Sequence, residues 1–148
     1  MKSLIFVEGE KDIEYIKENN IKIDDKKIIS FDIIAHQKLN QMNVKHSLVE
    51  EFFEDTDGEE IDKLSSNFAT TWYKQTINNQ LKYHNLELGY LIEAEIQIYF
   101  LKHIRKVVGI KRIIEKEKPD EIISFSSNSF VKNIIDKTQI QINQFKNY

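Results

Sequence analysis

Three side chains in this chain have the type and position to accept a proton from an attacking hydroxyl: Glu8, Asp32 and His36. A carboxylate or imidazole held where a strand ends meets the needs of general base chemistry. Glu8 follows the apolar run Ser3 to Val7, Asp32 follows Lys27 to Phe31, and His36 stands one turn further on. Gly9, beside Glu8, permits a turn or a close ligand approach that a side chain would obstruct. Ser126, Ser127, Asn128 and Ser129 form a polar loop at an expected helix start. Its hydroxyls, amide and free backbone N–H groups suit a sugar hydroxyl or an anion. Each feature also has an ordinary explanation: a Glu-Gly turn, helix caps at Asp32 and at the Ser/Asn loop, and a surface helix histidine.

The elements around these residues decide whether they meet. Ser3 to Val7 predicts a buried strand, and Glu10 to Asn19 a short helix with Ile13 and Ile16 on one side. Lys27 to Phe31 predicts a second strand, and Asp32 then caps a helix carrying Ile33, Ile34 and Leu39. His46 to Val49 is a third, weaker strand. Strand–helix alternation of this kind predicts an α/β fold with a largely parallel sheet, because parallel neighbours need crossover connections. In such a sheet the Glu8, Asp32 and Ser126 loops share the edge at the carboxyl ends of the strands.

The middle of the chain reads as a long helical insertion from about Thr56 to Lys118. Thr56 and Glu59 fit a capping box, and Ile61, Leu64, Phe68, Trp72 and Tyr73 recur at helical spacing. By the same spacing Trp72 and Tyr73 are expected in a core, and Tyr90, Tyr99 and Phe100 between helices. A second, longer helix runs from Leu88 and must stop before Pro119, with Gly109 marking a kink or a break. Glu121 to Phe125 is a fourth strand, Asn128 to Asp136 a short helix, and Gln139 to Phe145 a fifth strand. The expected whole is one Rossmann-like domain over residues 1–148. A final strand so near the last residue fits either a terminal edge strand or the N-terminal half of a longer two-domain protein.

Composition removes several classes. With no cysteine, disulfides, thiol catalysis and cysteine-ligated zinc are excluded. The four histidines show neither HxxxH nor HExxH spacing, so no dedicated zinc site is expected. The net charge of −3 argues against a general nucleic-acid binder. The basic run His103, Arg105, Lys106, Lys111 and Arg112 reads as a solvated helix face. Neither GxGxxG nor the Walker pattern occurs. The absence of a signal peptide and of a long apolar run makes a cytoplasmic protein the expectation.

Two resemblances are visible. FVEGEKD is similar to the first motif of Toprim domains, in which a Glu after the first strand and a later DxD support magnesium-dependent phosphoryl chemistry. That resemblance implies a Mg2+ site from Glu8, Asp55 and Asp57, and a nuclease or primase activity. Paired carboxylates suit such a hard cation. Over a longer span, KIISFD, SLVEEFFED, IDKLSSNFATTWY, LGYLIEAEIQIYFLKHIRK and IIEKEKPDEIISFSS follow one another in an order that resembles the N-terminal half of GT-B-type glycosyltransferases. The group meant is that of prokaryotic surface-polysaccharide biosynthesis. This second resemblance implies an acceptor-binding domain that needs no cofactor and is catalytically incomplete alone. Its partners would be a sugar acceptor, which can bring it to a membrane, and a separate nucleotide-sugar-binding domain. The resemblance fixes no catalytic residue, so Glu8, Asp32 and His36 stand as candidates. A third reading is a non-catalytic module that forms a homodimer through its helical stretch.

Overall fold

The computed structural model describes residues 2–76, 82–84, 86–125 and 141–144. Five strands form one sheet: β1 (Ser3–Val7), β2 (Lys27–Ser30), β3 (His46–Leu48), β6 (Glu121–Ser124) and β7 (Gln141–Gln144), in the order β3-β2-β1-β6-β7. All four pairings are parallel. The expected α/β, Rossmann-like architecture with a long helical insertion is therefore present. By contacts the chain divides into two compact units, Met1–Phe52 with Gly109–Tyr148, and Phe53–Val108.

In the first unit β1 is central and apolar on both faces, as a parallel strand covered on two sides must be. Ile5, Val7, Ile28, Ile123 and Phe125 face one way and pack with Ile13 and Ile16 of α1 (Glu10–Glu18) and Ala35 and Leu39 of α2 (Ile33–Gln41). Each of these side chains contributes about 1.5–3 kcal/mol when fully buried, less for Ala35. Both helices end alike. The Ile21 amide donates to the Ile16 carbonyl (3.0 Å) and the Val44 amide to Leu39 (3.0 Å), with Asn20 and Asn43 left-handed at φ 49° and 55°. These are Schellman ends with asparagine in place of glycine.

Residues of opposite parity, Leu4, Phe6, Ile29 and Ile122, are buried on the other face. Lys27, on that side, reaches Glu117 (2.6 Å) near the end of α5 (Glu93–Glu117) and lies over the Phe52 ring (5.2 Å). Phe52 closes a short 3-10 helix, Val49–Phe52, that follows β3. Burial alone would raise the Glu117 pKa. Hydrogen bonds from Lys2 and Lys27 outweigh it and hold the carboxyl below its ordinary value. At the sheet margin, the Leu48 amide of β3 donates to Glu51 Oε1 (2.8 Å).

The second unit contains α3 (Asp57–Thr76), the two-residue strands β4 (Lys82–Tyr83) and β5 (Leu86–Glu87), α4 (Leu88–Leu91) and the first part of α5. Its buried stripe on α3 is Ile61, Ser65, Ala69 and Tyr73; Leu64 and Phe68 are exposed instead. Tyr73 donates to Glu93 Oε1 (2.5 Å), and its ring lies against Gly89. Phe100 stacks on Phe68 (5.2 Å), whereas Tyr90 and Tyr99 are exposed, contrary to the helix-packing expectation. Gly109 lies inside a continuous α5; the break falls at Ile92, between α4 and α5. α5 stops where Pro119 requires, with Lys118 left-handed at φ 45°.

The expected Thr56–Glu59 capping box is replaced by a neighbour. The Asp57 carboxylate, fully buried, accepts from the Glu54 amide (2.9 Å), and the Asp57 amide donates to the Glu54 carbonyl (3.0 Å). Among the described residues no helix is long and apolar enough to cross a membrane.

Candidate functional site at the strand ends

β1 and β2 run in register from Leu4 opposite Lys27 to Val7 opposite Ser30, so their following loops leave the sheet side by side. The Phe31 amide donates to the Val7 carbonyl (2.9 Å), which ties the Glu8 corner to the Asp32 corner. On the other flank of β1, Phe6 pairs with Ser124, and β6 ends at the same edge. Strand order reverses between β1 and β6, and open α/β sheets bind ligands at that reversal. Glu8 and Asp32 thus share the edge expected for them. Ser126, Ser127, Asn128 and Ser129, with the helix expected after them, lie outside the described residues.

The Glu8 amide donates to Asp12 Oδ2 (2.6 Å), and Asp12, in the first turn of α1, is buried. This carboxylate was not singled out by sequence reasoning. The signal was present in EGEKD, since an acid in a first turn can reach back to an amide ahead of the helix. Gly9 has an extended backbone (φ −176°, ψ −177°), so the turn itself does not require glycine. Among the described residues a Cβ there would meet nothing within 4 Å. Lys38 of α2 pairs with Glu10 and lies 3.9 Å from Glu14, joining the two helices behind the edge.

Asp32 caps α2 as expected: its Oδ1 accepts from the Ile34 amide (2.8 Å) and the Ala35 amide (3.2 Å). The Ser30 hydroxyl donates to the Asp32 carbonyl (2.9 Å), fixing the loop beneath it. Glu8, Asp12 and Asp32 give this edge an acidic character, suited to accepting hydrogen bonds from hydroxyl groups and, from an ionised carboxylate, to taking up a proton.

His36 is engaged elsewhere. Its Nδ1 lies 2.8 Å from His46 Nε2, and its Nε2 lies 3.0 Å from the Asn40 amide nitrogen. Accepting a proton from a substrate would require one of these bonds to exchange. The spacing of 36 and 46 has no helical or strand period, which is why the pairing was not legible in the sequence.

The magnesium arrangement meets a different geometry. In the Toprim pattern the DxD ends a central strand, but β3 is an edge strand of three residues followed by a 3-10 helix. Asp55 lies in the turn before α3 and Asp57 is the first residue of that helix, its carboxylate accepting from the Glu54 amide. Among the described residues no group of three or more His, Asp or Glu could hold a metal ion.

A groove of about 800 Å3 runs along the opposite end of the sheet, past Ile23, Asp25, Lys27, Met42, Val44 and His46. It lies at the amino ends of β2 and β3, away from the Glu8 and Asp32 corners. Comparison with protein families, with curated proteins and with solved structures finds no match to this chain.

Proposed function

We propose that this chain is the acceptor-side N-terminal domain of a surface-carbohydrate glycosyltransferase of the GT-B type. It binds a sugar acceptor and works with a separate nucleotide-sugar-binding domain; alone, it transfers no sugar. The observation that carries this reading is the joint emergence of Glu8 and Asp32 at the carboxyl ends of the neighbouring strands β1 and β2, next to the strand-order reversal and tied by the Phe31–Val7 hydrogen bond. An acceptor hydroxyl placed there has carboxylates within its reach, and one of them takes its proton as the hydroxyl oxygen bonds to the donor sugar's anomeric carbon. The bond from that carbon to the nucleotide breaks, and the nucleotide leaves on the separate nucleotide-sugar-binding domain. Among the described residues nothing lies within 4 Å of a Cβ added at Gly9, so no described side chain crowds that point of the corner.

The test is an amide NMR titration of the whole chain with a panel of oligosaccharides and, separately, with nucleotide-sugars. The expected result is millimolar oligosaccharide binding that shifts residues 7–10 and 30–34, with no comparable effect of nucleotide-sugars. Absence of any glycan-induced shift at that edge would overturn the assignment.

A second reading is favoured by one specific observation. Tyr90, Leu91, Ile98 and Tyr99 are each at least 60% exposed in the helical stretch. Apolar surface of this kind suits a homodimer, and the chain would then be an interaction module. Light scattering separates the two: a concentration-dependent dimer abolished by Ile98→Glu supports the module, and a monomer at all concentrations removes it.

A further inference from the structure

We propose that His36 and His46 form a two-imidazole binding site for a borderline divalent transition metal, with Zn2+ and Cu2+ the leading ions. The proposal rests on the α2–β3 corner alone and is independent of the sugar-binding reading. The two rings meet at 65° with Nδ1 of His36 and Nε2 of His46 only 2.8 Å apart. Two imidazole nitrogens so close need something between their lone pairs, either a proton or a cation.

The outer partners decide how readily a cation serves. His46 Nδ1 lies 2.8 Å from the Val44 carbonyl, which can only accept, so the proton of a neutral His46 sits on Nδ1. That leaves the Nε2 lone pair facing His36. A backbone carbonyl on the far nitrogen is the support that metal-ligating histidines ordinarily have. Asn40 stands at the far nitrogen of His36. Turning its amide by 180° presents oxygen in place of nitrogen, so that His36 carries its proton on Nε2 and offers Nδ1 inward. Both inner nitrogens are then ligands.

The distances suit a metal with little movement. Zn–N bonds of about 2.0–2.1 Å with the present 2.8 Å separation give an N–Zn–N angle of roughly 86°; opening the pair by about 0.5 Å makes it tetrahedral. The left-handed Asn43 fixes the end of α2 and hence where His46 starts β3. Since no third His, Asp or Glu among the described residues joins them, water or a bound molecule fills the other positions. Micromolar affinity is expected of such a site, well short of that of a closed structural zinc centre.

Titration of the whole chain with ZnCl2 by calorimetry tests this, paired with NMR of the imidazole nitrogens in the unaltered protein. The expected result is one equivalent bound, with the largest shifts at His36 Nδ1 and His46 Nε2. His36→Gln and His46→Gln should each weaken binding at least tenfold, and Asn40→Ala by about tenfold. His84→Gln with His103→Gln should leave it unchanged. No saturable binding, or shifts confined to His84 and His103, would overturn the site; the NMR reading stands even if a variant fails to fold.

Discussion

Asp32 has two separable duties, and one pair of substitutions distinguishes them. As a cap it supplies a single oxygen, Oδ1, to the amides of Ile34 (2.8 Å) and Ala35 (3.2 Å). As a candidate base it supplies charge. Asp32→Ala removes both, leaving two first-turn amides to water, which costs about 1 kcal/mol. Asp32→Asn keeps a carbonyl oxygen in the Oδ1 position and ranks equally as a cap. It loses only the charge–dipole attraction, about 0.3–1 kcal/mol and smaller at an exposed helix start. With an unfolding entropy of about 2.1 cal/mol/K per residue over 148 residues, 1 kcal/mol corresponds to roughly 3 °C in Tm. Thermal and urea unfolding followed by circular dichroism should therefore give a loss of about 3 °C for Asp32→Ala and about 1 °C for Asp32→Asn. The same Asp32→Asn protein, stable and capped, should bind acceptor glycans more weakly. Equal losses of Tm for the two variants would show that charge, not hydrogen bonding, holds the helix start, and the capping argument would fall.

Gly89→Ala should destabilise the second unit by about 1–3 kcal/mol in urea unfolding, because its Cβ would lie 2.4–2.8 Å from Tyr73 ring atoms. Gly9→Ala, whose Cβ meets no described atom within 4 Å, should change stability by less than about 0.5 kcal/mol. Ser124 has a fully buried hydroxyl with no hydrogen-bond partner among the described residues, so Ser124→Ala should be neutral or stabilising by up to about 1 kcal/mol. The hydrogen bond from Tyr73 to Glu93, with burial and the nearby carboxylate charge, pushes the phenol pKa up from 10 to about 12. Its folded pKa is above its unfolded one, so the associated stability is full below pH 10 and is lost as pH rises toward 12. Ultraviolet difference titration should show a late-titrating component that disappears in Tyr73→Phe.

The parallel sheet was legible because its strands are continuous apolar runs punctuated by polar corners, and Asp32 because a capping residue stands directly before an apolar helix. What escaped has local causes. On α3 the apolar letters Leu64 and Phe68 suggest the buried stripe, but the small residues Ser65 and Ala69 occupy it. Size rather than hydropathy governs a close-packed position. The Thr56 signal lost to Asp57, whose carboxylate reaches the Glu54 amide, two residues earlier than the capping-box pattern places the bond. Gly109 did not interrupt its helix, since an isolated glycine costs only about 1 kcal/mol against alanine within a helix. The Glu8–Asp32 pairing followed from strand register, whereas the His36–His46 contact needed a left-handed Asn43 that hydropathy patterns do not encode.

The Glu51 carboxylate on the Leu48 amide has a consequence for assembly. A margin strand with free amides is a template on which foreign chains polymerise, and β3 is only three residues long with its last amide already occupied. An incoming strand would have to evict a charged group to gain a register of three residues, a poor exchange. Glu51 therefore makes this edge of the sheet a poor template for an added strand.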